Sequence, residues 1–135
     1  MDPQTYLIEI KVKLAVSVFI RSIEIIDERT VLSDRGYFRA KLILTSGDFL
    51  EISEHFVAEE DKYVPKRYRY QWMDSTQRSL KKRWDNAEHY PSLPGFPDHA
   101  HVGSEENVIP SRPIGILEFI DILEKELPNG SIFRV

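Results

Sequence analysis

Apolar residues occupy almost every second position early in the chain, where Ile8, Ile10, Val12, Leu14, Val16, Val18 and Ile20 stand between mostly polar neighbours. Taken alone, that alternation slightly favours a strand. A helix competes with it, because Asp2 can serve as N-cap with Pro3 at the first helical position, and Leu7, Ile10 and Leu14 share one helical face. Beyond Ser17 the β-branched run from Val18 to Ile26 predicts a strand, ended by the polar Asp27-Glu28-Arg29-Thr30.

Further on, Phe38, Ala40, Leu42 and Leu44 alternate with Arg39 and Lys41, the pattern of a strand with one buried face. Thr45-Ser46-Gly47-Asp48 is hairpin chemistry, and a strand returns through Leu50, Ile52 and Phe56. After the polar turn Glu59-Glu60-Asp61, strands are predicted from Arg67 to Met73 and from Arg78 to Asp85, joined around Asp74-Ser75-Thr76-Gln77. Such short connections predict an antiparallel meander of about five strands. Near the end, Ser111-Arg112-Pro113 reads as a helix entrance. Ile116, Leu117, Ile120, Leu123 and Leu127 follow at helical spacing, and Leu127-Pro128-Asn129-Gly130 is the stop. The acidic positions of that helix, Glu118, Asp121 and Glu124, are expected to form a solvated face.

A chain of 135 residues with 41% hydrophobic content fits one compact domain over residues 1–135. Glu9, Lys11, Lys13, Arg21 and Glu24 interrupt the apolar N-terminal region, so neither a membrane span nor a secretory signal fits, and a soluble cytoplasmic protein is expected. The absence of cysteine excludes thiol catalysis, disulfides and Cys-zinc sites, leaving chemistry mainly to His, carboxylates, hydroxyls and Lys/Arg. The net charge of −4 hides a segregation, because residues 66–83 carry seven basic residues against the single Asp74. That segment can bind anions although the whole chain is acidic.

Two features point to chemistry. In a strand, Arg67, Arg69 and Gln71 lie on one side and Tyr68, Tyr70 and Trp72 on the other. The basic side could follow a phosphate backbone or be merely solvated; the aromatic side could stack on bases or be core. The second feature is the Pro/Gly-rich stretch 87–112, read as a long functional loop, which with its flanks holds three of the four histidines, His89, His99 and His101. His99-Ala100-His101 suits an acid/base pair, a metal ion, or histidines that only satisfy nearby carbonyls. RNA cleavage needs a proton acceptor, a proton donor and fixed cations, and Asp85, Glu88 or Asp98 could orient an imidazole.

The run from Tyr68 to Asp74, then Arg83-Trp84-Asp85-Asn86, His89, Phe96-Pro97-Asp98-His99-Ala100-His101-Val102-Gly103 and the acidic helix resembles the TumE toxin family of bacterial and archaeal toxin–antitoxin systems. The match extends over nearly the whole chain. Where relatives commonly show Pro-His-His this chain has Glu88-His89-Tyr90, and Gln71 stands where they carry a histidine. The resemblance implies an α+β domain with a helix on each side of an antiparallel sheet, which moves the expectation for Pro3 to about Leu14 from strand to helix. It also implies a growth-inhibiting toxin acting on RNA, held by a cognate helix-turn-helix antitoxin.

The leading expectation is therefore a metal-independent, cofactor-free ribonuclease. His99 and His101 serve as acid and base, His89 supports them and Asp85 orients them. Arg67, Arg69 and Arg83 hold phosphate, and Tyr70, Trp72 and Asn86 contact the substrate. A non-catalytic nucleic-acid- or antitoxin-binding module and a metal-dependent hydrolase using His99, His101 and a carboxylate are the alternatives. A homodimer through an edge strand or the apolar face of the terminal helix is also open.

Overall fold

The computed structural model describes residues 2–127. Helix α1 (Pro3–Val16) leads into seven strands, β1 (Ile20–Leu32), β2 (Arg35–Leu44), β3 (Phe49–Glu59), β4 (Lys62–Met73), β5 (Leu80–Asp85), β6 (His99–Val102) and β7 (Val108–Pro110). Helix α2 (Ile116–Glu126) follows. The strands pair in sequence order, each antiparallel to the next, in one sheet. Two strands more than expected form because His99–Val102 and Val108–Pro110, inside the predicted loop, pair with β5 and with each other. The prolines are confined to the excursion from Asn86 to Asp98 and to the end of β7, so His99-Ala100-His101-Val102 keeps every amide a ladder needs.

Helix α1 forms despite the alternation of its sequence. The Asp2 carboxylate accepts from Gln4 N at 3.0 Å, and Pro3, Tyr6, Leu7, Ile10 and Leu14 are buried at helical spacing. Its outward face carries Ile8, Val12 and Val16, all exposed, and apolar residues on both faces are what imitated a strand. Strand β1 runs through Asp27–Thr30 instead of ending there, because β2 supplies a partner along its whole length. Likewise β4 begins at Lys62, with Pro65 tolerated at an irregularity where His55 pairs Arg67 and Phe56 pairs Pro65.

Both helices lie on one sheet face, over the alternate positions Phe38, Ala40, Leu42 and Leu44 of β2, Leu50, Ile52 and Phe56 of β3, and Tyr68 and Tyr70 of β4. Tyr70 is completely buried, its ring stacked 4.7 Å from Phe119 of α2. It therefore cannot stack on a base. Trp72 lies on the same side, donates through Nε1 to Asp48 at 2.9 Å and packs against the core. The pleat turns both rings towards the helices, which leaves Tyr70 no surface for a substrate and Trp72 only partly exposed.

Within that core sits one carboxylate, Glu54, fully buried. Tyr6 of α1 donates to one of its oxygens, and the first amide of α2, Ile116 N, donates to the other, each at 2.8 Å. The Tyr70 hydroxyl lies 2.8 Å from both Glu54 Oε1 and the Ile114 carbonyl, and its single hydrogen can serve one of them at a time. Glu54 thus caps α2 from β3. This is why the helix starts at Ile116, after Gly115, and not at the predicted Ser111-Arg112-Pro113 entrance. The acidic positions of α2 are also not simply solvated, since Glu118 pairs Arg112, Asp121 pairs Lys13 and Glu124 accepts from Ser17 Oγ. The apolar face of α2 is occupied by the core, which removes it as a dimer surface, and β1 remains an edge. The helix ends at Glu126; most of the predicted stop, from Pro128 onward, lies outside the described residues.

Burial pushes the Glu54 carboxyl up to about 7, against the opposing pull of its hydrogen bonds from Tyr6, Tyr70 and Ile116 N. A carboxyl that binds its proton more tightly when folded contributes most stability below its unfolded value and loses that contribution as pH rises towards 7. The expected loss is roughly 3 kcal/mol between pH 4.5 and 8. Urea unfolding of Glu54→Gln should therefore show a flatter pH profile than the native chain, with the two curves diverging across this window.

Candidate active site

The face of the sheet away from the helices is polar, because the residues between the core positions all point there. Strand register assembles them into rows. Arg39, Ser53, Arg69, Asp85 and His99 are successive cross-strand partners from β2 to β6, and Lys41, Glu51, Gln71, Arg83 and His101 form the next row. Tyr37, His55 and Arg67 form a third. A cleft of ≈ 630 Å³ lies over this face, reaching from Tyr37 and His55 to His99 and His101.

Asp85 stands at its inner end. Its carboxylate is nearly buried and lies 3.0 Å from His99 Nε2, 3.8 Å from His101 Nε2 and 3.2 Å from Arg83 Nε, and it also accepts from Ala87 N at 3.0 Å. On the far side of each imidazole is a backbone carbonyl, Pro97 O at 3.0 Å from His99 Nδ1 and Glu105 O at 2.9 Å from His101 Nδ1. A carbonyl oxygen only accepts, so both Nδ1 atoms carry hydrogen and both Nε2 atoms are the ones turned to Asp85. The ligand-capable atoms of Asp85, His99 and His101 lie within 4.8 Å of one another, so these three residues are also the set that could hold a divalent metal.

What positions this centre is the excursion between β5 and β6. Successive turns bond Leu93 N to Tyr90 O, Phe96 N to Leu93 O and Asp98 N to Gly95 O. Tyr68 donates to Asp98 at 2.6 Å and ties the returning end to β4. Gly95 adopts φ +85° against Ser111, where a Cβ would stand 2.5 Å from the Ser111 carbonyl oxygen, so this close approach requires glycine.

The expected site residues divide. His99, His101 and Asp85 come together, and the two histidines lie on a strand of the sheet and not in a loop. His89 is exposed at the cleft margin, its ring 6.2 Å from that of Tyr90, which itself lies edge-on to His99 and His101 at 4.9 and 5.9 Å. Arg67 and Arg69 are exposed in the cleft, and among the described residues neither has a carboxylate partner. Arg83 differs. Its guanidinium is shared by Asp85, Gln71 and both oxygens of Glu105, and the pairing holds Glu105 below the usual carboxylate range. Arg83 is therefore a brace for Asp85 more than a free phosphate ligand. Asn86 also has its amide engaged at both ends, accepting from Tyr68 N and donating to Lys66 O, which locks β5 to β4.

Sequence reasoning missed Glu105, Tyr90, Tyr37 and His55. Tyr90 was noted only as a departure from a histidine pattern, and Gln71 as such a departure and as a neighbour of Arg67 and Arg69 on one strand face, yet both border the centre. His55 and Tyr37 had a legible signal, since both fall on the outward positions of strands whose inward positions were read correctly.

The fold and cleft define a small α+β protein with one sheet face committed to core and the other to a cationic, histidine-centred site. The family model described as Toxin TumE matches residues 10–127, and the chain belongs to that family. It is accordingly a toxin of a toxin–antitoxin system, with an antitoxin as its partner. Comparison with curated proteins and with solved structures gave no match. No helix among the described residues is long and apolar enough to cross a membrane.

Removing the Asp85 carboxylate leaves Arg83 Nε and Ala87 N without their acceptor in a nearly buried place. Asp85→Ala should lower the unfolding free energy by roughly 3 kcal/mol, measured by urea denaturation, with Asp85→Asn costing less because it retains one acceptor oxygen.

Proposed function

We propose that this toxin acts by cleaving RNA through acid–base catalysis at His99, His101 and Asp85, with Arg67 and Arg69 holding phosphate. The observation that carries the reading is the pair of imidazoles with Nδ1 fixed on carbonyls and Nε2 facing one nearly buried carboxylate, in the same cleft as two guanidinium groups that have no ion-pair partner among the described residues. At 3.0 Å, the His99 Nε2–Asp85 contact is a hydrogen bond only when one of the two carries a proton. In this mechanism that proton is delivered to the departing 5′ oxygen. His101 Nε2, at 3.8 Å, has no such bond to Asp85 and accepts the proton of the 2′-hydroxyl as its oxygen attacks phosphorus. The bond from phosphorus to the 5′ oxygen breaks as the 2′ bond forms. Arg67 and Arg69 stabilise the charge gathering on the phosphoryl oxygens.

A second reading is favoured by the same atoms: Asp85, His99 and His101 as ligands of a divalent metal, each histidine donating its other ring nitrogen to a carbonyl as metal-bound histidines commonly do. Metal chemistry would then supply the nucleophile, and the assignment of acid and base would fall away.

Expressed without its antitoxin, the His99→Ala/His101→Ala chain should be non-toxic, and purified, it should cleave RNA about 10²- to 10⁴-fold more slowly while retaining a cooperative thermal transition. Native-like cleavage by the double variant would refute the site. Turnover that survives exhaustive chelation supports the acid–base centre; turnover lost with EDTA and restored by a divalent ion supports the metal centre.

A further inference from the structure

We propose that the exposed ring of His55, backed by Tyr37 and with Arg67 beside it, forms a stacking subsite for a nucleobase of single-stranded RNA, at the end of the cleft remote from His99 and His101. The subsite rests on the reading of the cleft as an RNA site and names what that site recognises beyond the phosphate under attack. The aromatic residues first suspected of stacking, Tyr70 and Trp72, are turned towards the core. At the end of the cleft away from His99 and His101, the open face presents the rings of Tyr37 and His55. They are cross-strand partners on β2 and β3 with centroids 4.2 Å apart and planes tilted by 32°. Tyr37 is half-buried and held between its cross-strand partners, the Arg29 guanidinium 5.2 Å from its ring centre on one side and His55 on the other, whereas His55 is exposed and both line the cleft.

The chemistry around them suits a planar, polarisable ligand next to an anion. Arg67, paired with His55 across β3 and β4, has no carboxylate partner among the described residues. Burial, Arg29 and Arg67 all hold His55 towards its neutral form, so its ring offers a face and not a charge. A phosphate on Arg67 and a base against the neighbouring ring is how sequence-tolerant single-strand sites combine cations and aromatics. From β6, which carries His99, to β3 is three strand spacings of about 4.8 Å, roughly 14 Å. The base held here therefore belongs to a nucleotide other than the one cleaved. A second cavity of ≈ 480 Å³ shares His55, but its Arg29, Arg35 and Lys66 are each paired with a carboxylate, Asp27, Asp34 and Glu59, so the cation available to a phosphate at the subsite is Arg67. An acidic peptide would satisfy Arg67 but leave the exposed His55 ring without a planar partner, which is why RNA is favoured over a protein segment.

The test is titration of a fluorescent single-stranded RNA oligonucleotide with the full chain carrying His99→Ala/His101→Ala, so that binding is read without cleavage. Adding Tyr37→Leu or His55→Leu should weaken binding by roughly 5- to 150-fold, the range of one base stack. The slope of log affinity against log salt should stay unchanged, whereas Arg67→Ala should reduce it. Tyr37→Phe should restore affinity, and an RNA with an abasic nucleotide at the stacked position should be insensitive to Tyr37→Leu. RNA that is cut by the native chain but bound equally by both leucine variants overturns the subsite and leaves the cleavage reading standing. RNA that is bound with these losses but never cut by the native chain supports the subsite and overturns the cleavage reading. Loss confined to an acidic peptide overturns the subsite in favour of a protein ligand, and RNA neither bound nor cut overturns both.

Discussion

Glu54 is the residue on which the arrangement of the covered face depends. A carboxylate without solvent contact is tolerated only if its oxygens are occupied, and here the donors come from three separate elements: Tyr6 from α1, Tyr70 from β4 and Ile116 N from the start of α2. Each helix is therefore fixed to the same point of β3. Hydrophobic contact alone would let α1 and α2 slide over the sheet. The hydrogen bonds to Glu54 define one position, and with it the exit of the chain from β7 into α2 through Ile114, whose carbonyl approaches Tyr70.

The same strands carry a different problem on their other face. Guanidinium groups, imidazoles and a nearly buried carboxylate are held within a few ångströms, and the balance among them is uneven. Arg83 is neutralised by Asp85 and Glu105, whereas among the described residues neither Arg67 nor Arg69 has a carboxylate within ion-pair distance. Pairing them internally would have been electrostatically favourable, so leaving two adjacent cations unpaired keeps the cleft attractive to an anion. The centre is rigid by contrast. Two backbone carbonyls fix the imidazoles and an amide helps to fix Asp85, so neither histidine must reorganise to present Nε2.

Much of the fold was legible from the chain. The alternation in β2 and β3 gave their buried faces residue by residue, and the polar turns marked the hairpins. The basic and aromatic sides of β4 were separated correctly, but which side met the helices is a tertiary fact, and with it went the assignment of Tyr70. Helix α1 was ambiguous for a physical reason: Ile8, Val12 and Val16 leave its outer face apolar, so the contrast that marks a helix period is missing. The start of α2 was misread because its cap comes from Glu54, distant in sequence, and no local signal reveals it.

Of the cleft, the sequence by itself determined the ingredients: histidines spaced two apart, a carboxylate at the end of a basic strand, and a cationic run in an otherwise acidic chain. The tertiary structure decided which of these meet. His99 faces Asp85 because β6 pairs β5 in one register, and a slip of one residue would turn both histidines into the core and Ala100 outward. That register is set by a backbone ladder closed through thirteen intervening residues and anchored by Tyr68 on Asp98. Local pattern carries no information about it, since period-two alternation fixes only which side chains share a face, while the ladder fixes which of them are neighbours.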